Sequence, residues 1–174
     1  MTFPLEEVRK FKIQQLMNSN YQNMMLMKVN IDDCFQYNEK IEIFMGENEM
    51  YCNRCRGQFN AYNTTKLYYG PEILIIILNR EKGNEFKIKL EFTEKINLSQ
   101  YFQMKNLGNV YNLIGVITHM GENDSSGHFI ANAKSPIDGQ WYSYNDDFVF
   151  KIDNFKQQII DYAMPYVLFY QKEK

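Results

Sequence analysis

The sequence predicts an α+β fold dominated by antiparallel strands, and three observations carry that prediction. The 174-residue chain is 45% hydrophobic and 16% aromatic, enough apolar side chain to bury the core of one domain or part of one. Its aromatics fall mostly in runs rich in Ile, Val, Tyr and Phe, which suit a pleated sheet better than a helical bundle. Those runs are short, as in an antiparallel sheet. No fixed-period repeat and no Pro/Gly/Ser-rich linker divides the chain, so residues 1–174 read as continuous.

Taken in order, Leu5 to Leu16 (LEEVRKFKIQQL) fits a helical period as well as an extended one, and both readings stay open. Met24 to Val29 (MMLMKV) reads as a strand. Ile31 to Asn38 sets Asp32 and Asp33 beside an apolar stripe of Cys34, Phe35 and Tyr37, which predicts a short capped helix. Strands are expected at Asn60 to Tyr68, Ile73 to Arg80 and Glu85 to Phe92, with the aliphatic run Ile73 to Leu78 buried. After the polar stretch Lys105 to Asn109 come four extended runs, VYNLIGVITHM, HFIANAK, QWYSYN and FVFKI. A helix over Asn154 to Tyr162 and a last strand over Tyr166 to Gln171 complete the chain.

The bulk numbers narrow the function. A net charge of -2 and a pI near 5.7 leave no basic footprint for nucleic acid. The start MTFPLEEVRK is not a cationic segment followed by an apolar one, so it does not read as a secretory signal. Ile73 to Leu78 is far shorter than the ~20 residues that cross a bilayer. The chain is therefore expected to be soluble, without a membrane or nucleic-acid partner. Three cysteines make a poor disulfide framework and point to a reducing compartment, cytosol or nucleus.

Between HFIANAK and QWYSYN, the stretch Ser135 to Gln140 holds Pro136, Asp138 and Gly139, which is turn chemistry between two strands. A turn centred between Pro136 and Ile137 sets His128 directly opposite Asn145, within side-chain reach. A one-residue change in loop length substitutes Asp146. A catalytic imidazole needs one nitrogen free for a nucleophile and the other held by an oriented acceptor, and a carboxamide or carboxylate serves. Gly127 allows close approach beside the histidine. Geometry alone weighs this about evenly against a hairpin whose histidine is a satisfied structural residue. Trp141, Tyr142 and Tyr144 read as sheet packing, and His119 as a structural histidine near a strand end.

The run YNLIGVITHMGENDSSGHFIANAKSPIDGQWYSYNDDFVF resembles the histidine box of the ubiquitin-specific protease family. Tyr111, Leu113, Gly115 to Ile117, His119 and Gly121 lead to Gly127, His128 and Phe129, then Trp141, Asn145 and Asp146. PYVLFYQK resembles the family's final strand, PEILIIILNR its strand ending in a basic residue, and IDDCF followed by YCNRC its fingers segment. The likeness covers roughly residues 20 to 172. It implies a papain-like cysteine protease fold, here the antiparallel β-rich fingers (about 20–70) and palm (71–174) without the thumb. It also implies a thiol-dependent deubiquitinase that hydrolyses the bond after the C-terminal glycine of ubiquitin, with ubiquitin or ubiquitinated proteins as partners and no cofactor for catalysis. By the same resemblance His128 is the general base, Asn145 its orienting partner and Asp146 a support. The segment His119 to Ser126 would be a loop over the ubiquitin tail.

The family's nucleophile box, a Thr-Cys step opening a helix, has no counterpart here, nor does its oxyanion asparagine. Cys34 precedes His128 in papain order, but Asp32 and Asp33 oppose its thiolate and the resemblance sets it in a fingers helix, so it reads as a packing residue. A missing N-terminal half carrying the cysteine, as upstream sequence or a separate chain, is the partner this implies, and the chain alone is expected to be inactive. Cys52 and Cys55 form a CxxC, half of a tetrahedral zinc set. The family's second pair lies upstream, where this chain has Gln14, Gln15 and Asn18. Three readings stay open: zinc completed from outside the chain, a degenerate site without metal, or a redox pair. Two further functions compete with the hydrolase, a fold-retaining ubiquitin-binding scaffold and a small zinc module, and the latter leaves the hairpin unexplained.

Overall fold

The computed structural model of the protein describes residues 1–16, 27–80, 87–104, 108–121, 126–160 and 164–173. Its elements are β1 (Thr2–Pro4), α1 (Leu5–Leu16), β2 (Val29–Asn30), α2 (Ile31–Asn38), β3 (Glu42–Phe44), β4 (Met50–Cys52), β5 (Gly57–Phe59), β6 (Ala61–Asn63) and β7 (Ile73–Asn79). They continue with β8 (Leu90–Glu91), β9 (Lys95–Asn97), β10 (Val110–Met120), β11 (His128–Lys134), β12 (Trp141–Asn145), β13 (Phe148–Ile152), a π-helical turn at Lys156–Ile160, and β14 (Pro165–Lys172).

Among the described residues the main sheet has eight strands, in the order β1-β7-β14-β10-β11-β12-β13, with β9 also on β10. It is antiparallel except at one edge, where β1 runs parallel to β7. A second parallel pair, β2 with β8, stands apart. β10 is long enough to hold β9 through Val110 to Asn112 and β11 through Gly115 to Met120, with β14 along its other side.

Leu5 to Leu16, open between two readings in the sequence, is helical. α2 forms where expected, but its N-cap is Asn30. The Asn30 side chain accepts from Asp33 N–H and the Asp33 carboxylate accepts from Asn30 N–H, both at 2.8 Å, which satisfies two donors reciprocally. Lys12 donates to the same carboxylate at 2.8 Å and ties α1 to α2. Their apolar sides, with Leu5, Val8, Cys34 and Phe35 fully buried, join a core that also takes Leu74, Ile76 and Leu78 of β7, Val116 of β10 and Leu168 and Tyr170 of β14. Phe35 lies between Phe3 and Tyr101, at 5.4 and 5.1 Å between ring centroids.

Several expectations are corrected. The run Ile73 to Leu78 is buried only at alternate positions: Ile73, Ile75 and Ile77 are 41–42% exposed, because neighbouring side chains of a strand face opposite ways and helices cover one face here. The strand expected at Asn60 to Tyr68 is limited to Ala61–Asn63, and Leu67 makes only an isolated bridge to Phe102. Within Glu85 to Phe92 only Leu90–Glu91 is strand, residues 85 and 86 lying outside the described residues. Met24 to Val29 likewise falls largely outside them, with Val29 opening β2. In place of an α-helix over Asn154 to Tyr162 there is the π-helical turn, residues 161 and 162 lying outside the described residues.

Candidate active site

The hairpin β11–β12 is built by its turn. Ser135 Oγ accepts from the backbone N–H of Ile137 and Asp138, Asp138 Oδ1 accepts from Gln140 N–H, and the Tyr142 hydroxyl donates to Asp138 Oδ2 at 2.8 Å. That phenol is the largest influence holding the Asp138 carboxyl below its usual range. Gly139 supplies a φ of 71°, a conformation that glycine adopts without a Cβ penalty.

The resulting register differs from the expected one. Ala131 pairs with Tyr144 and Lys134 with Trp141, so the turn is centred between Ile137 and Asp138 rather than between Pro136 and Ile137. Extending this pairing sets Ile130, not His128, opposite Asn145. The physical reason is that Ser135 closes on Gln140 rather than on Asp138, its N–H donating to Gln140 O at 2.8 Å, which lengthens the loop by two residues. The partner shifts by two positions, and because strand side chains alternate with period two, His128 and Asn145 keep one face as diagonal neighbours.

There His128 Nε2 lies 2.6 Å from Asn145 Oδ1 and 3.6 Å from Asp146 Oδ2. A carboxamide oxygen can only accept, so Nε2 carries the hydrogen and Nδ1 is left with its lone pair. That division is what a general base needs. The His128 side chain is 42% exposed and that of Asp146 is 76% exposed, so a reacting group can approach. Asp146 has a φ of 49°, in the left-handed region where Asp is tolerated better than most residues. It sits between Asn145 and Phe148, which pair directly.

Behind the site on the same face of β11 are buried Ile130 and Asn132. The Asn132 amide donates to Thr118 Oγ1 at 3.5 Å, and Thr118 Oγ1 donates to Ile130 O at 3.4 Å, linking β10 to β11. This buried polar pair escaped the sequence reading, although the place of Asn132 four residues after His128, and so on the same face of a strand, was visible. Trp141 is buried and stacks on Phe155 at 3.7 Å, whereas Tyr144 is 42% exposed, so the packing expected of all three aromatics holds for Trp141 and fails for Tyr144. Residues 122–125 of the expected loop His119 to Ser126 lie outside the described residues.

The three cysteines sit elsewhere in the fold. Cys34 is fully buried on α2, and burial, then the charge of Asp33, pushes its thiol up to about 12. Such a thiol is inert at neutral pH. Cys52 and Cys55 occupy the turn joining β4 to β5, where Cys55 N–H donates to Cys52 Sγ at 3.5 Å. Backbone donors of this kind pull the Cys52 thiol below its usual range. Tetrahedral zinc takes four ligands, and among the described residues no group of three or more His, Cys, Asp or Glu side chains is placed to hold a metal. The turn thus fits half of a zinc site and no more.

Comparison with known proteins bears on this geometry. The family model described as ubiquitin carboxyl-terminal hydrolase matches residues 9–170. Ubiquitin carboxyl-terminal hydrolase 48 of Gallus gallus is 29% identical over 136 residues, covering 74% of this chain and 13% of the relative. Ubiquitin carboxyl-terminal hydrolase 17-like protein B of Mus musculus is 31% identical over 147 residues, covering 82% and 31%. Among solved structures, a chain of the SAGA Ubp8/Sgf11/Sus1/Sgf73 DUB module bound to ubiquitin aldehyde superposes with a TM-score of 0.66 at 25% identity, over 84% of this chain and 34% of that one. The chain thus spans between 13% and 34% of the length of these proteins. The β-rich architecture with few helices is the papain-like α+β fold that such a match implies.

Proposed function

Since the chain belongs to the ubiquitin carboxyl-terminal hydrolase family, we propose that it is the base-bearing, C-terminal part of a thiol-dependent deubiquitinase whose nucleophilic cysteine comes from outside these 174 residues. The observation that carries this reading is the 2.6 Å contact of His128 Nε2 with Asn145 Oδ1, which orients the ring and leaves Nδ1 basic. In this reading His128 is the base, Asn145 the orienting acceptor and Asp146 a second acceptor. Residues of about 20–70 form the fingers and 71–174 the palm. The Cys52–Cys55 turn contributes at most two ligands to a zinc completed from elsewhere.

The chemistry follows papain logic. Nδ1 of His128 takes the proton of the supplied thiol, and the thiolate attacks the carbonyl of the C-terminal glycine of ubiquitin. The imidazolium, held at Nε2 by Asn145, returns that proton to the departing amine, and the acyl group stays on sulfur as a thioester. Water, deprotonated by the same nitrogen, then releases the carboxylate and regenerates the thiol. Cys34 is excluded from this role by its burial and by the cost of ionising it there.

A second reading, a ubiquitin-binding scaffold without catalysis, is favoured by the exposed apolar side chains on the small β3–β6 and β4–β5 ladders: Ile43, Met50, Tyr51, Phe59 and Tyr62 are 49–71% exposed. Exposed apolar patches mark interaction surfaces. One experiment separates the two: the purified chain, alone and supplied with a family-like segment carrying the nucleophilic cysteine, is offered an amide-linked ubiquitin reporter. The hydrolase reading expects silence alone and thiol-dependent cleavage on reconstitution. Well-folded reconstitution without cleavage supports the scaffold, and cleavage by the chain alone that disappears in Cys34→Ala overturns the assignment of Cys34.

A further inference from the structure

We propose that His119 is a positioning residue for His128: its ring clamps Gly127 and Phe129, the two chain neighbours of His128, from the reverse face of β11 and so aims the His128 imidazole at Asn145. The inference deepens the hydrolase reading and rests on it for the role of His128. The pairing of β10 with β11 sets His119 directly opposite Phe129, and their rings meet edge to face at 5.0 Å and 66°. Tyr166 of β14 closes a three-ring cluster, 5.6 Å from His119 and 5.1 Å from Phe129. The buried Arg80 guanidinium lies over the Tyr166 ring at 5.7 Å and donates to Pro165 O and Ile88 O, at 2.9 and 2.6 Å, which anchors the strand start that carries Tyr166.

A Cβ built on Gly127 would overlap Cε1 and Nε2 of the His119 ring, and one on Gly121 would come within 2.8 Å of the same Cε1. The imidazole therefore lies against backbone that only glycine leaves open. Because side chains alternate along a strand, residues 127 and 129 present one side to His119 while His128 points to the other, toward Asn145. A ring fixed against both flanking residues determines the peptide orientation between them. A hydrogen bond as close as 2.6 Å is sensitive to that orientation, since its strength falls steeply with angle.

The test reads the imidazole of His128 and not turnover, so its failure is distinguishable from failure of the hydrolase reading. The chain has two histidines, so replacing His119 leaves one imidazole in the nitrogen-15 spectrum. In the full 174-residue chain, the ratio of the Nε2–H to the Nδ1–H form of His128 is measured above its titration for wild type, His119→Ala and His119→Phe. The expected result is a fall of roughly five- to tenfold in that ratio for His119→Ala, the equilibrium weight of one ordinary hydrogen bond. His119→Phe, which restores a ring against Phe129 and Tyr166, should keep the ratio near wild type. A merely structural histidine would lower the unfolding midpoint and leave the ratio unchanged, so a folded His119→Ala chain with the wild-type ratio overturns the proposal. If His119→Ala does not fold, His119→Phe decides: a retained ratio supports the clamp, and a folded His119→Phe chain that has lost it overturns the proposal.

Discussion

At the scale of single residues, Asn145 Oδ1 at 2.6 Å and Asp146 Oδ2 at 3.6 Å approach the same nitrogen of His128 from different backbone settings. Asn145 ends a strand and needs no unusual conformation, whereas Asp146 holds a φ of 49°. Left-handed backbone costs an ordinary L-residue about 1–2 kcal/mol, and a β-branched side chain suffers most. Asp146→Val should therefore lower stability by about 1–2 kcal/mol, while Asp146→Gly, which relieves the conformation but adds chain entropy, should change it by less than about 1 kcal/mol. Urea unfolding of both variants checks this, and equal midpoints for Val and Gly would contradict the backbone argument. In a reconstituted enzyme Asn145→Ala should cost less than loss of His128, because Asp146 Oδ2 at 3.6 Å can take over the bond to Nε2. An Asn145→Ala enzyme as inactive as His128→Ala would count against that relief.

At the scale of elements, the strands β10, β11 and β13 appear at the limits read from sequence, because turn and polar residues bound them locally and burial alternates along β10 and β11. What escaped was long-range or side-chain-dependent. The parallel docking of β1 on β7 joins residues more than seventy positions apart, with Met1 N donating to Ile75 O at 2.6 Å, and nothing in TFP announces it. The hairpin register moved because Ser135 and Asp138 close the turn with their own side chains. The face shared by His128 and Asn145 survived, since a shift of two positions preserves strand parity. The CxxC spacing was legible in the sequence, and it falls in the β4–β5 turn. Its two thiols project from the β4–β5 connection while Cys34 is sealed in the core. In native buffer near pH 8 a thiol reagent should therefore label two of the three cysteines, Cys52 fastest because backbone donors favour its thiolate. Full labelling should require denaturant. Rapid native labelling of Cys34, read by peptide mass mapping, would refute both its burial and its exclusion as nucleophile.

At the scale of the whole molecule, the core that supports the site carries ionisable groups kept neutral by burial. Desolvation pushes the Cys34 thiol up to about 12 and raises the Tyr170 phenol, whose hydroxyl donates to Thr93 O at 2.7 Å. In the unfolded chain these groups ionise near ~8.5 and ~10. Between those values and the folded ones the unfolded state binds fewer protons, so stability falls as pH rises. The contribution is complete below about pH 8.5 and lost progressively above it. Unfolding midpoints should be level from pH 7 to 8 and then decline, and Cys34→Ala should flatten the first part of that decline. A midpoint independent of pH up to 11 would contradict the burial of these groups.

The proposed hydrolase pairs the oriented His128 of β11, as base, with a nucleophile supplied from outside the chain. The most direct measurement is steady-state cleavage of an amide-linked ubiquitin reporter by the reconstituted protein, wild type against His128→Ala, with ubiquitin binding measured alongside. The expected result is a loss of about 10²–10⁴ in kcat at nearly unchanged affinity. Equal turnover by the two proteins would contradict it.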